Sequence, residues 1–106
     1  MNSTQQLFEK DKFYIIRADK AGMFMGKIEF VNGNQIGIRA LRRLYYWRGA
    51  LDATQLAKCG VRQPSACKFS EQLSESDLSV VNNLIEFHKM TDEAVNSINS
   101  VPVWKN

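Results

Sequence analysis

Histidine, cysteine and proline are scarce in this chain: one, two and two among 106 residues. With His88 alone, any histidine-dependent mechanism rests on one side chain, and its neighbours Glu86, Phe87 and Lys89 suggest no triad. Cys59 and Cys67 cannot complete a zinc site with a histidine so distant, and a reduced pair is their expected state. Cys59 as a nucleophile would need His88 beside it, which nothing in the spacing supports. Paired carboxylates are missing too, since Asp11, Asp19, Glu29 and Asp52 are scattered. The later acids read as solvated faces and helix starts, and a magnesium site among them carries no motif. Gly22-Met23-Phe24-Met25-Gly26 lacks the Lys-Ser/Thr end of a phosphate loop. No apolar run approaches the roughly 20 residues that span a bilayer. The first ten residues lack the basic start and apolar stretch of a secretory signal. The expectation is a non-enzyme, soluble and intracellular, with no catalytic residue, cofactor, metal or membrane partner.

Apolar residues make up 44% of the chain, which places it among globular proteins, and its length suits one domain spanning 1–106. Residues 1–10 read as a loosely ordered N-terminus in which Leu7 and Phe8 pack a short helical turn, and 101–106 as an extended tail. Charge is lopsided. Residues 1–50 carry nine Lys/Arg against four Asp/Glu, and residues 51–106 carry five against seven. Such polarity suits an anionic partner on one side, or head-to-tail contact between subunits.

Phe13-Tyr14-Ile15-Ile16 is β-branched and aromatic, as strands are. Residues 18–22 turn the chain, and Met23 to Val31 forms a second strand. Asn32-Gly33-Asn34 is the strongest local signal, because both residue types tolerate positive φ. A three-residue loop there sets Phe30 opposite Ile36, Ile28 opposite Ile38 and Gly26 opposite Ala40, gathering apolar residues on one face. A two-residue loop pairing Phe30 with Gln35 scatters them. The expected hairpin therefore covers 23–46 with three loop residues, and blurred alternation at 41–44 points to a bulge or twist. Asp52 is placed to cap a helix over 53–58, and Gly60 to end it. Residues 73–90 suit either helix or strand by periodicity; the reading taken is a strand over 83–89. Thr91-Asp92-Glu93 opens a second short helix that ends near Asn99. The expected fold is α+β: a small antiparallel sheet of about four to five strands with two short helices.

Within 39–48, Arg-Ala-Leu-Arg-Arg-Leu-Tyr-Tyr-Trp-Arg, lie four of the six arginines, three consecutive aromatics and no acid. Guanidinium groups beside ring faces suit a flat anion such as a nucleotide or a single strand. Arg39, Arg42, Arg43, Tyr45, Tyr46, Trp47 and Arg48 are the candidate ligand-binding residues. The same residues can be core aromatics edged by solvated cations, and the sequence leaves both readings open. Trp104, close to the terminus, is costly to leave exposed and is the candidate oligomer contact, docked on its own core or on a neighbouring subunit.

The run from Arg42 to Ala50, followed by Gln55-Leu56-Ala57 and Gly60-Val61, resembles a family of small phage and prophage proteins. Its members carry an Arg-Arg-Leu-aromatic-Tyr-Trp-x-Gly-Ala strand motif. The resemblance extends to Tyr14-Ile15-Ile16-Arg17, to residues 21–26, to Cys67-Lys68-Phe69 and to residues 101–105. It implies a β-rich segment around 80–88, from whose apolar pattern Asn82, Asn83 and His88 depart. It implies no activity. Its context is a phage accessory protein in the host bacterial cytoplasm, a host-takeover or anti-defence factor. Such a factor works by binding, often as a homo-oligomer, a nucleotide, a nucleic acid or a host protein. The alternative expectation is a protein–protein or virion-assembly component with no small ligand.

Overall fold

The computed structural model describes residues 7–105. Six strands form one antiparallel sheet: β1 Phe13–Ala18, β2 Gly22–Asn32, β3 Gln35–Tyr46, β4 Lys68–Phe69, β5 Leu78–Val81 and β6 Leu84–Lys89. Two helices, α1 Ala53–Cys59 and α2 Asp92–Asn99, complete it. The α+β class therefore holds, with six strands rather than four to five. The order β4-β3-β2-β1-β6 leaves β5 to share the outer edge of β3 with β4, each taking one half. The expected N-terminal turn at Leu7-Phe8 is not helical, and the rest of the expectation for 1–10 lies largely outside the described residues.

The sheet is strongly bent, and the hydrogen bonds show why. Straightened, the ten steps along β2 would separate its ends by about 33 Å. Yet Asp19, beside one end, donates to the Asn83 carbonyl at 2.8 Å, and Asn34, beside the other, accepts from the Leu84 amide at 2.8 Å. Adjacent residues of the link between β5 and β6 thus hold both ends of the β2–β3 ribbon. The strand expected over 83–89 is β6, and the Asn82-Asn83 break, with Asn83 at φ 65°, divides the β-rich segment around 80–88 between β5 and β6 so that each pairs with a different neighbour.

Two register shifts carry the bend. At the tip the loop is Gly33-Asn34, two residues rather than three, with Gly33 at φ 62°. Phe30 accordingly faces Gly37, not Ile36. An extra residue at Glu29 then shifts the pairing to the expected Ile28 opposite Ile38, and a second shift follows between Lys27–Arg39 and Met25–Arg42. Ala40, at φ 54°, lies in that second bulge, just before the stretch where alternation blurs in the sequence.

Bending gives the sheet two apolar faces. The concave side holds Tyr14, Ile16, Phe24, Ile28, Ile36 and Ile38. The other side, with Ile15, Met25 and Leu44, is covered by Leu56 of α1 and Ile98 of α2. Asp52 caps α1 by accepting from Gln55 N, and Thr91 caps α2 by accepting from Ala94 N. The Thr91 hydroxyl also donates to the Lys58 carbonyl at the end of α1, fastening the helices to each other. Gly60 ends α1 at φ 76°, where a Cβ would lie 2.4 Å from Ser97 Cβ of α2. Both cysteines are free thiols.

Candidate functional site

The four arginines of 39–48 separate in space. The bulge at Ala40 turns Arg42 inward, where it is 4% exposed. Its Nε donates to the Ser70 carbonyl at 2.6 Å, Nη1 to Ile98 at 2.8 Å and Nη2 to Val101 at 2.6 Å. Its guanidinium also lies over the Phe69 ring, 5.3 Å from the centroid. Burial pushes its pKa down from the ordinary arginine value. Arg42 thus ties β3 to the end of α2 and to the tail, where carbonyls at a helix C-terminus favour a cation. It is a fastener inside the fold, and the ligand-contact expectation is corrected accordingly. Arg39 is half-buried and committed as well: Nε donates to Glu29 Oε1 at 2.9 Å and Nη1 to the Glu75 carbonyl at 3.3 Å. Arg39 is the first cause that lowers the Glu29 pKa, and Lys10 the second.

Arg43 and Arg48 stay exposed. Arg43 lies 4.9 Å over the Phe24 ring and donates to the Ala21 carbonyl at 3.3 Å. Arg48 falls after the end of β3 and has no hydrogen bond or ion pair among the described residues.

The aromatics are not sealed inside. Tyr45 is 56% exposed, Tyr46 45% and Trp104 41%, while Trp47 is half-buried against the helix-covered core. Tyr45 and Trp104 meet edge to face, with centroids 5.9 Å apart. Lys68 Nζ stands 5.3 Å from the Trp104 centroid and 6.0 Å from that of Tyr46. The tail is therefore docked on its own chain: Trp104 N donates to the Phe69 carbonyl at 2.9 Å, and Val103 bridges to Phe69. On the other side of Tyr45 opens a recess of about 260 Å³ lined by Arg17, Gly22, Met23, Tyr45 and Trp47. It adjoins a second of about 380 Å³, which shares Arg17, Met23 and Trp47 and adds Asp52, Thr54 and Glu86.

Tyr45 thus meets Trp104, beside which Lys68 stands, and shares a recess with Trp47 and Arg17. Arg17 and Lys68 carry no signal in the sequence that marks them for this surface. Arg17 reads as one polar position in a strand, and β4 is too short to show a pattern, although both lie in stretches that carry the family resemblance. Arg17 Nη1 is held 3.2 Å from Glu86 Oε2, and Glu86 Oε1 lies 2.5 Å from His88 Nε2. The His88 hydrogen bond first, and Arg17 after it, keep Glu86 below the ordinary carboxylate range. Among the described residues no three His, Cys, Asp or Glu side chains gather as a metal ion would need. Among the described residues no helix is long and apolar enough to cross a membrane.

The chain belongs to the family of a domain of unknown function (DUF6948), which matches residues 11–98. No curated protein and no solved structure matches it. The matched span contains Arg17, Tyr45, Trp47 and Lys68 and stops before Trp104.

Proposed function

We propose that this chain is a non-enzymatic binding protein that takes a nucleotide-like or nucleic-acid ligand on the surface formed by Trp47, Tyr45 and Trp104. The observation that carries this reading is the exposed Tyr45 ring, set between a recess edged by the Arg17 guanidinium and the Trp104–Lys68 pair. Rings left half open beside cations are what a base and its phosphate require, since stacking contributes about 1–3 kcal/mol per base and cations position the backbone. Arg43, Arg48 and Lys68 supply the exposed positive charge in place of Arg39 and Arg42. The setting proposed is that of a phage accessory factor in a bacterial cytoplasm, blocking a host defence or redirecting a host function, and working as a homo-oligomer.

Trp47 and Trp104 are the only tryptophans, and both belong to this surface. Intrinsic fluorescence should therefore respond when cyclic nucleotides, mononucleotides or short single strands are titrated in. Tyr45→Ala and Trp104→Ala should each weaken binding by about tenfold while leaving the fold intact. Three phosphate contacts on a single strand give a log–log salt slope of about −2. Unchanged fluorescence across the panel, or a slope near zero, removes this reading.

A second reading, a protein–protein or assembly component, is favoured by one feature. Leu78 and Val80 on β5 and Ile85 on β6 are large apolar side chains exposed on edge strands. Under it, light scattering gives an oligomer whose mass falls on Val80→Lys or Ile85→Lys, and no nucleotide alters the fluorescence.

A further inference from the structure

A further recess, larger than the two beside Trp47, lies apart from the Tyr45–Trp104 pair. It encloses about 740 Å³ where Phe8 and Glu9 cross β6 beside the end of α1. That volume falls within the range of small-molecule sites. Its walls divide into two kinds. Phe8, Tyr14, Ala57 and Phe87 provide an apolar and largely aromatic side, with Tyr14 and Phe87 edge to face at 5.7 Å. Lys58, Lys89, His88, Thr54 and Thr91 provide a polar side. Lys58 makes no ion pair among the described residues, and Lys89 is paired only with Glu9. Both members of that pair are about half exposed, so it contributes little and can exchange for another anion. His88 is held in place through Glu86 to Arg17. Thr54 stands on the boundary with the Trp47 recess, so the two sites are neighbours without sharing their rings or cations.

We infer that this recess is a second ligand site, built for a small aryl anion whose ring lies against Phe8, Tyr14 and Phe87 and whose carboxylate or phosphate meets Lys58 and Lys89. Among the described residues two lining lysines stand against one lining carboxylate, Glu9, which favours a negative head group over a neutral or positive one. The partly exposed Phe87 ring presents the surface on which a flat body packs edge to face or offset.

The test uses the full chain and three probes of one shape: naphthyl phosphate, naphthylacetate and the neutral naphthylethanol. Calorimetric titration should show one anion bound per chain, with the alcohol at least about tenfold weaker, as loss of a charge-assisted contact requires. The tighter of the two acids identifies the head group. Lys58→Glu and Lys89→Glu, both at exposed positions, should each lower affinity by about tenfold. Tyr45→Ala should leave it unchanged, so this site can fail or succeed independently of the nucleotide surface. Binding of the alcohol as tight as that of the acids, no binding of either acid, or indifference to both charge reversals overturns the inference.

Discussion

Arg42 and Arg48 carry the same functional group six positions apart and have opposite fates. Arg42 satisfies three carbonyls from the Ser70 loop, the end of α2 and the tail, in a place water hardly reaches. Its replacement by alanine removes the Arg42 hydrogen bonds to the Ser70 and Val101 carbonyls and leaves Ile98 only its backbone donors, and urea denaturation should show a loss of about 2–4 kcal/mol. Arg48→Ala should change stability by less than about 0.5 kcal/mol, because nothing in the fold leans on it. Glu86 illustrates the same principle for an acid. Its folded-state pKa lies below the ordinary value of 4.5, held there by His88 and then by Arg17. A depressed carboxylate stabilises the fold above its unfolded pKa, and that contribution disappears as pH falls from about 4.5 through the folded value. Glu86→Gln should therefore melt below the parent at pH 7, and the gap should close on acidification toward pH 3. A gap independent of pH would show that the carboxylate charge is irrelevant to stability.

At the scale of elements, the β2–β3 ribbon determines the shape. Both of its strands bend, and the bend brings backbone and side chains close at Gly26. A Cβ there would lie 2.3 Å from Ile38 Cγ2 and 3.1 Å from the Arg39 carbonyl oxygen. The carbonyl is main chain and cannot rotate away, so Gly26→Ala should destabilise by about 1–3 kcal/mol through local overpacking, measured by chemical denaturation. The caps were legible in advance because capping is local chemistry: Asp52, Gly60 and Thr91 act where their residue types and spacing place them. The hairpin loop was not. Collecting apolar residues on one face fixes the register only for a regular ladder, whereas bulges at Glu29 and Ala40 let the chain change register within the ribbon. That freedom removes the reason for a three-residue loop. The strand over 83–89 is legible in the sequence as β6, whereas β5 is not, since Leu78–Val81 shows its role only once its pairing with β3 is known.

For the whole molecule, the two apolar clusters lie on opposite faces of the same strands. Ile15 and Ile16, adjacent in β1, belong to different clusters, as do Phe24 and Met25 in β2. Neither face can lose its packing while the other keeps its strands. Heat should therefore unfold the chain in one transition, with far-ultraviolet circular dichroism and tryptophan fluorescence giving coincident curves. An earlier fluorescence change would show instead that the Trp47–Trp104 surface loosens on its own. The candidate site depends on this architecture, because its parts come from β1, β3, β4 and the tail. The sequence run 39–48 contributes Tyr45 and Trp47 to it, and the fold supplies Arg17, Lys68 and Trp104.

Alternation, caps and turn residues sufficed to establish the α+β class, the β2–β3 hairpin and both helices, because each depends on residues within a few positions of one another. Which guanidinium is buried, which rings remain open and which cations stand beside them required the assembled molecule. Those outcomes turn on bulges and on long-range pairing: a one-residue offset in the ladder redirects a side chain from solvent to interior, and no local pattern records where that offset falls.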